Sequence, residues 1–410
     1  MSCLYISYDG MLEPLGQSQV LGYLKHLALN RRIHLISFEK PEDWANEGER
    51  KRLRNQILSF GIVWHPLPYH KYPSVVATLW DIFSGIVLGL FLLLRYRLRI
   101  VHARSYVASV MALALKRMTG VKYIFDMRGF WADERVDGGL WPQGGRLYSI
   151  AKWFERQFLL QADIVVSLTQ AAVNEMLHCP YLQSKMPQFE VITTCADLEL
   201  FRLQEGKGAF SSIAHPFTLG YVGSVGVWYL FDETLRCFQS LRERLPDARL
   251  FILNKGGHAF IRDRIKALHV DPDAVLIQEA DHQGVALAMQ QMDAGIFIIK
   301  PLYSKMASAP TKLGEFLGCG IPCLGNIGVG DMAGILENEK VGVALTRFDD
   351  DALRDAIDQL LQLTQSAGIQ ERCRATAVRY FSLDEGVRRY ASVYDRLDVP
   401  RQGAVGFDSL

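Results

Sequence analysis

The chain reads as an α/β protein made of two doubly wound parallel-sheet domains, on three observations. Short apolar runs rich in β-branched residues alternate with helix-length segments, which is the pattern of repeated strand–helix–strand units. The alternation breaks at residues 203–216, where Gln-Glu-Gly-Lys-Gly-Ala-Phe-Ser-Ser is polar and rich in Gly and Ser, and then restarts. A length of 410 residues, 49% hydrophobic and 22% charged, is enough for two ordinary cores. The expected division is 1–203, 204–380 and a terminal segment 381–410.

In the first part, strands are predicted at 4–7, 33–38, 62–65, 100–103, 123–126, 164–167 and 191–193. Helices fall between them at 17–29, 44–60, 105–119, 147–162 and 170–178. In the second, strands are predicted at 217–222, 249–253, 274–278, 294–299, 321–324 and 341–344. The matching helices are 231–245, 258–268, 283–292, 311–319, 349–364 and 371–379, with a last helix at 384–398. Right-handed crossovers then put the binding loops at the carboxyl ends of the strands.

The formal net charge of +1 conceals an asymmetry: residues 1–122 hold 16 Lys and Arg against 8 Asp and Glu. A basic N-terminal region suits anionic lipid or phosphate, and is equally the profile of a solvated basic face. No nucleic-acid partner is expected. The seven cysteines show no metal-ligand spacing and sit mostly in apolar runs, as reduced buried thiols do. The start, Met1-Ser-Cys-Leu-Tyr-Ile-Ser, runs straight into a strand without a basic leader or cleavage site. A cytoplasmic protein is therefore expected. Residues 75–94 are strongly apolar, but Trp80 and Asp81 leave an uninterrupted run of 13 from Ile82, short of the ~20 needed to span a bilayer. Arg95, Arg97 and Arg99 follow. A core helix, or one lying on the inner face of an anionic membrane, is expected instead.

Several loops carry chemistry. Tyr8-Asp-Gly10-Met-Leu-Glu-Pro-Leu-Gly16-Gln17 joins a strand to a helix. Gly16 there lets backbone approach a ligand and Gln17 offers neutral donors. The loop is not GxGxxG, so no nicotinamide or flavin site is expected. Tyr123-Ile-Phe-Asp126-Met-Arg128-Gly-Phe-Trp-Ala-Asp133 sets charge beside aromatics at a strand end. Arg128 can grip a phosphate in a bidentate manner but is no base near neutrality. His102 and Arg104 end the preceding strand and are candidates for the same cleft. In the second part, Gly223-Ser224 forms a Gly-rich strand-to-helix turn of a kind that favours phosphate. Lys255, Lys300 and Lys312 are the cations available to balance a diphosphate. Asp271-Pro-Asp273 fits a short metal pattern but stands where Asp simply forms turns, so no metal is expected.

The most informative stretch is Lys300-Pro-Leu-Tyr-Ser-Lys-Met-Ala-Ser-Ala-Pro-Thr-Lys-Leu-Gly-Glu315-Phe-Leu-Gly-Cys-Gly320-Ile-Pro322. An apolar run, an irregular loop and a helix start with a carboxylate one turn in suit a nucleoside diphosphate: free backbone N–H groups for phosphate, Glu315 for ribose hydroxyls. The stretch resembles the donor signature of the family 4 glycosyltransferases of GT-B fold, two Glu separated by seven residues and then Gly-x-Pro. Glu315 and Gly320-Ile-Pro322 match, whereas the first Glu, associated with the donor sugar, would fall at Ala307. Val191-Ile-Thr-Thr-Cys-Ala-Asp197-Leu-Glu-Leu-Phe201 is similar to the family's segment before the hinge, with Thr194 and Cys195 replacing its Asn and Gly.

The resemblance implies two Rossmann-like domains facing across a cleft, with the last helix crossing back to the first. It implies retaining transfer from a nucleotide-diphosphate sugar, without metal or other cofactor, to a lipid-linked or envelope-glycan acceptor. Donor contacts would come from Gly16, Gln17, Gly223, Ser224, Lys255, Lys300, Ser308, Ala309, Thr311, Lys312, Leu313 and Glu315. Arg128, Asp126 and His102 would stand at the reaction centre, and Asp133 and Arg104 on the acceptor side. Many relatives carry His near Arg128, and Arg with Lys where this chain has Ser224 and Trp228 or Tyr229. A nucleotide-sugar epimerase and a non-catalytic nucleotide-sugar binder are the competing readings. The first would convert the donor sugar unaided, and the second would bind without turnover.

Overall fold

A computed structural model of the chain describes residues 2–183, 185–203 and 215–398, so most of the expected linker lies outside the described residues. The first lobe holds seven parallel strands, β1 (Ser2–Ser7), β2 (Arg32–Glu39), β3 (Val63–Pro68), β4 (Ile100–Arg104), β5 (Lys122–Asp126), β6 (Ile164–Ser167) and β7 (Gln188–Val191). Their order is β3-β2-β1-β4-β5-β6-β7. The second lobe holds six parallel strands, β8 (Thr218–Val222), β9 (Arg249–Leu253), β10 (Val275–Gln278), β11 (Ala294–Ile296), β12 (Cys323–Asn326) and β13 (Gly342–Leu345), in the order β10-β9-β8-β11-β12-β13. Helices cover both faces of each sheet, and so the central strands read as continuous apolar runs: β4 is buried throughout and β2 at all but its first residue.

The strand order reverses between β1 and β4 and again between β8 and β11. Ligand crevices form beyond the carboxyl ends of strands at such switch points. The loops 8–16, 104–106 and 126–130 lie at the first switch point, and 223–229 and 297–311 at the second.

The departures from expectation have local causes. β7 covers Gln188–Val191 rather than 191–193, because as an edge strand it alternates polar and apolar residues and has no apolar run to mark it. The helix expected at 44–60 splits in two, and the Asn46 side chain accepts from the Glu49 amide to start Glu47–Ser59. The helix expected at 17–29 opens with a wide π-type turn, Gln17–Leu21, before Gly22–Leu27. Two short helices, Trp131–Asp137 and Met332–Asn338, escape a periodicity search because each spans about two turns.

The last helix, Leu383–Leu397, begins at Ser382, whose hydroxyl caps the Glu385 amide at 3.1 Å. Its Tyr390, Val393 and Tyr394 are buried in one cluster with Cys3, Tyr5, Leu21 and Tyr23 of the first lobe. The chain therefore leaves the second lobe and finishes packed on the first.

Candidate active site

The second lobe presents a buried cation whose ammonium has no hydrogen-bond partner. The helix Thr311–Gly318 follows Pro310 and has no side-chain cap; the Leu313 amide donates to the Pro310 carbonyl at 3.1 Å, and the Thr311 and Lys312 amides before it are left for a ligand. Lys312, in its first turn, is 9% exposed, and its ammonium has no hydrogen-bond partner. The Nζ lies 4.2 Å from the Tyr229 ring centroid, with Tyr221 and Phe297 at 5.6 and 5.7 Å. A Cβ built on Gly223 would stand 2.6 Å from that Nζ, and Gly223 also has φ +120°. The positive φ requires glycine there, and the ammonium sits directly against the turn after β8. That turn is pinned by Asn254, whose Nδ2 donates to the Gly223 carbonyl at 2.8 Å and whose Oδ1 accepts from the Gly257 amide at 2.6 Å. Glu315 follows one turn on, partly buried. Burial pushes its carboxyl up to about 7, against the pull of Lys312.

The other expected donor residues scatter around this centre. Ser224 is exposed and its carbonyl accepts from Tyr221 at 2.6 Å. Lys255 is exposed after β9, and Lys300 is half-buried with its amide bonded to the Trp228 carbonyl at 2.9 Å. Ser308, Ala309 and Leu313 line an interlobe cavity of about 380 Å³ with Thr169, Asp331 and Arg389, and this lining does not include Gly223, Lys312 or Glu315. The Leu313 side chain lies in the apolar core, which leaves only its backbone for a ligand.

The first lobe corrects three expectations. Gly16 is glycine for the loop's own closure: a Cβ there would lie 2.1 Å from the Gly10 carbonyl oxygen, so the close approach is internal. Gln17, beside it, is exposed and reaches the Leu12 carbonyl at 3.4 Å. His102 does not line the cleft. It is 1% exposed, with Nδ1 2.8 Å from the Tyr394 hydroxyl and Nε2 3.5 Å from Asp126, covered by the last helix. Burial holds it neutral, outweighing Asp126. Asp133 is also engaged, accepting from Tyr148 at 2.9 Å and Lys152 at 3.0 Å, and is buried away from an acceptor.

Asp126 accepts from the Tyr390 hydroxyl at 3.0 Å. Burial pushes its carboxyl up, and Arg128 with His102 outweighs that and leaves it below the usual range. Arg128 adopts φ +59° and turns toward Gln19, 3.5 Å away, with one Nη buried and unpaired. Arg104 reaches Asp9 at 3.4 Å. Asp271 caps the short turn Pro272–Ala274 and pairs with Arg242 at 2.7 Å, as a turn former does. Among the described residues no three His, Cys, Asp or Glu side chains cluster as metal ligands.

Comparison with known proteins meets this geometry from outside. Residues 28–178 match the model of the glycosyl transferase 4-like domain, and residues 209–377 match that of the glycosyl transferases group 1. The chain belongs to the GT-B glycosyltransferases. No curated protein sequence matches it significantly. Its fold is similar to sucrose-phosphate synthase from Thermosynechococcus elongatus, with a TM-score of 0.69 at 13% identity over 97% of this chain and 99% of that one. A Rickettsia africae glycosyltransferase gives 0.69 at 14% identity, covering 97% and 98% of the two chains. Anabaena HepE, solved with UDP and glucose, gives 0.66 at 13%, covering 96% and 99%.

In this glycosyltransferase the loop before the helix Thr311–Gly318 docks onto the first lobe. The Lys305 ammonium pairs with Glu134 at 2.9 Å and lies 3.8 Å from the Trp228 ring centroid. The Ser304 amide donates to Asp137 at 3.0 Å, and Tyr303 stacks on Phe130 at 5.4 Å. Thr169 donates to the Met306 carbonyl at 2.7 Å and Thr194 to that of Ala309 at 2.8 Å. From the second lobe Asp331 accepts the Gln170 and Ala171 amides at 2.6 and 2.9 Å. Ala307, where the family signature has its first Glu, is 2% exposed within the first lobe's apolar cluster. A methyl fits there, in a site closed to solvent. The Trp228 ring faces the Lys305 ammonium and the Tyr229 ring faces that of Lys312. Sequence reasoning passed over Lys305 and Asn254, since single polar residues in loops carry no periodic or motif signal.

Proposed function

We propose that the transferase moves a hexosyl group from a nucleotide-diphosphate sugar to a hydroxyl acceptor, with retention at the anomeric carbon and without a metal ion. The observation that carries this is Lys312, a buried cation with no hydrogen-bond partner, set against a glycine turn and beside an uncapped helix start. A diphosphate supplies the charge that this arrangement lacks. Glu315 accepts from the ribose hydroxyls, and Lys300 and Lys255 stand at the rim. As the bond from the anomeric carbon to the diphosphate oxygen breaks, negative charge grows on the leaving group, and Lys312 with the helix amides stabilises it. The bond to the acceptor oxygen forms on the same face of the sugar, and the acceptor proton passes to a donor phosphate oxygen. The Anabaena protein's UDP and glucose make uridine diphosphate hexoses the first donors to offer.

The acceptor enters from the first lobe, near Gln17 and Arg128. The surplus of basic residues there favours a lipid-linked or envelope-glycan acceptor met at the inner face of the membrane. The test is transfer from a uridine diphosphate hexose to a panel of lipid-linked and glycan acceptors, with and without chelator, and assignment of the product anomer by NMR. The expected product keeps the donor configuration at a rate indifferent to chelator. An inverted product refutes retention, a chelated enzyme that stops refutes the metal-free reading, and a new sugar epimer formed without acceptor refutes transfer itself.

A further inference from the structure

The helix Ser74–Tyr96 has two faces with opposite histories. Its inner face carries Ala77, Asp81, Gly85 and Gly89 at four-residue spacing, all buried. A Cβ on Gly85 would lie 2.4 Å from the Met111 sulfur, and one on Gly89 2.8 Å from Leu115, so the backbone rests directly on the first lobe. Asp81, the polar residue that interrupts the apolar run, is fully buried. It accepts from the Tyr8 hydroxyl at 2.8 Å and the His70 amide at 3.1 Å, and pairs with His70 Nδ1 at 2.6 Å. The outer face carries Leu79, Trp80, Phe83, Val87, Phe91 and Leu94, each between 52 and 67% exposed. Arg95, Arg97 and Arg99 are exposed at its C-terminal end and Lys71 just before its start.

We propose that this outer face lies in the surface of an anionic bilayer, parallel to the membrane, as the transferase's docking surface. A continuous apolar stripe of this size on water has no stabilising role in the fold, whose contacts all lie on the other face. Basic groups at both ends fit anionic headgroups. The helix is long enough to span, but spanning would tear Asp81 from Tyr8 and His70 and strip the glycine face from Met111 and Leu115. Because Tyr8 belongs to the loop after β1, the Asp81 contact fixes the N-terminal part of the helix beside the carboxyl ends of the first sheet. An acceptor held in the membrane then meets the cleft from the first-lobe side. Only this last step rests on the proposed acceptor class, and the docking surface itself does not.

Flotation of the full chain with phosphatidylcholine vesicles, with and without phosphatidylglycerol, tests the proposal, with the thermal shift by uridine diphosphate read on the same samples. The wild type is expected to float with the anionic vesicles. Leu79→Ser/Phe83→Ser/Phe91→Ser should lower partitioning at least about tenfold, and Arg95→Gln/Arg97→Gln/Arg99→Gln should reduce the anionic preference about fivefold per arginine. Both variants should keep the wild-type melting temperature and nucleotide shift, which separates failure here from failure of the donor site. A wild type that floats with neither vesicle, or a serine variant that floats as the wild type does, overturns the proposal. Resistance to alkaline extraction would mean that the helix spans. A wild-type dimer made monomeric by the serine variant, with no lipid binding, would mean that a second copy covers the face.

Discussion

The two lobes place charged residues at equivalent switch points and satisfy them to different degrees: each first-lobe group keeps a partner although one of its polar atoms is buried and unpaired, whereas the Lys312 ammonium has no hydrogen-bond partner at all. In the first lobe His102, Asp126, Arg104 and Arg128 each have at least one partner within the fold. Tyr390 of the last helix donates to Asp126, and Tyr394 meets His102. In the second lobe Lys312 has a single side-chain nitrogen, and that nitrogen has no hydrogen-bond partner. A buried charge answered by its own fold is scaffold, and a buried charge left unanswered costs stability unless a ligand completes it. The contrast separates two groups that are alike in the sequence, because both are charged residues just past strand ends.

Breaking the first-lobe network should have the largest effect. Asp126→Asn leaves Arg128 without its counter-charge and should cost about 3 kcal/mol of stability in denaturant unfolding, while donor binding by the surviving folded fraction stays unchanged. The sign with pH follows from its lowered value: the contribution of Asp126 is present above about pH 4 and is lost as pH falls through its folded value, so the Asn variant should lack that acid loss.

Lys312→Met tests the other side. The aromatic walls accept the apolar chain, so the melting temperature should hold or rise. Transfer should fall at least about a hundredfold and the nucleoside diphosphate shift should vanish. A variant that turns over normally would remove the contrast between the lobes.

Ala307→Glu restores the family's missing carboxylate. Its burial in the first-lobe cluster should cost about 2 kcal/mol, read as a lowered melting temperature. A neutral result would show that the lobes separate readily at this loop.

At Glu315 the expected effect is a pH dependence. Its carboxyl is raised to about 7, so the folded state holds a proton that the unfolded chain has released, and apo stability should fall as pH rises from about 4.5 to about 7. Glu315→Gln should be flat over that range and more stable than the wild type at about pH 8, while losing ribose-dependent nucleotide affinity. A wild-type curve that is also flat would show that Glu315 is well solvated.

Much of this was legible in advance because strands buried on both faces announce themselves as apolar runs. β6 and β9 match the expected bounds to the residue. The Gly223 turn and the helix start at Thr311 were legible because uncapped helix starts and glycine turns leave local marks. The roles of His102 and Asp133 were not. Nothing beside His102 in the chain records that Tyr394, 292 residues on, will cover it, and Asp133 meets Lys152 only once two helices pack.

Sequence by itself determined the strand–helix alternation, the glycine turn at Gly223 and the helix that presents Lys312 and Glu315, because backbone propensity and local capping act over a few residues. Tertiary structure alone decided which charges are answered and which wait, that Ala307 is packed as a methyl between lobes, and that the apolar helix Ser74–Tyr96 turns its glycines inward and its aromatics out. Partners distant in the chain set those outcomes, through burial and close packing that no local pattern encodes.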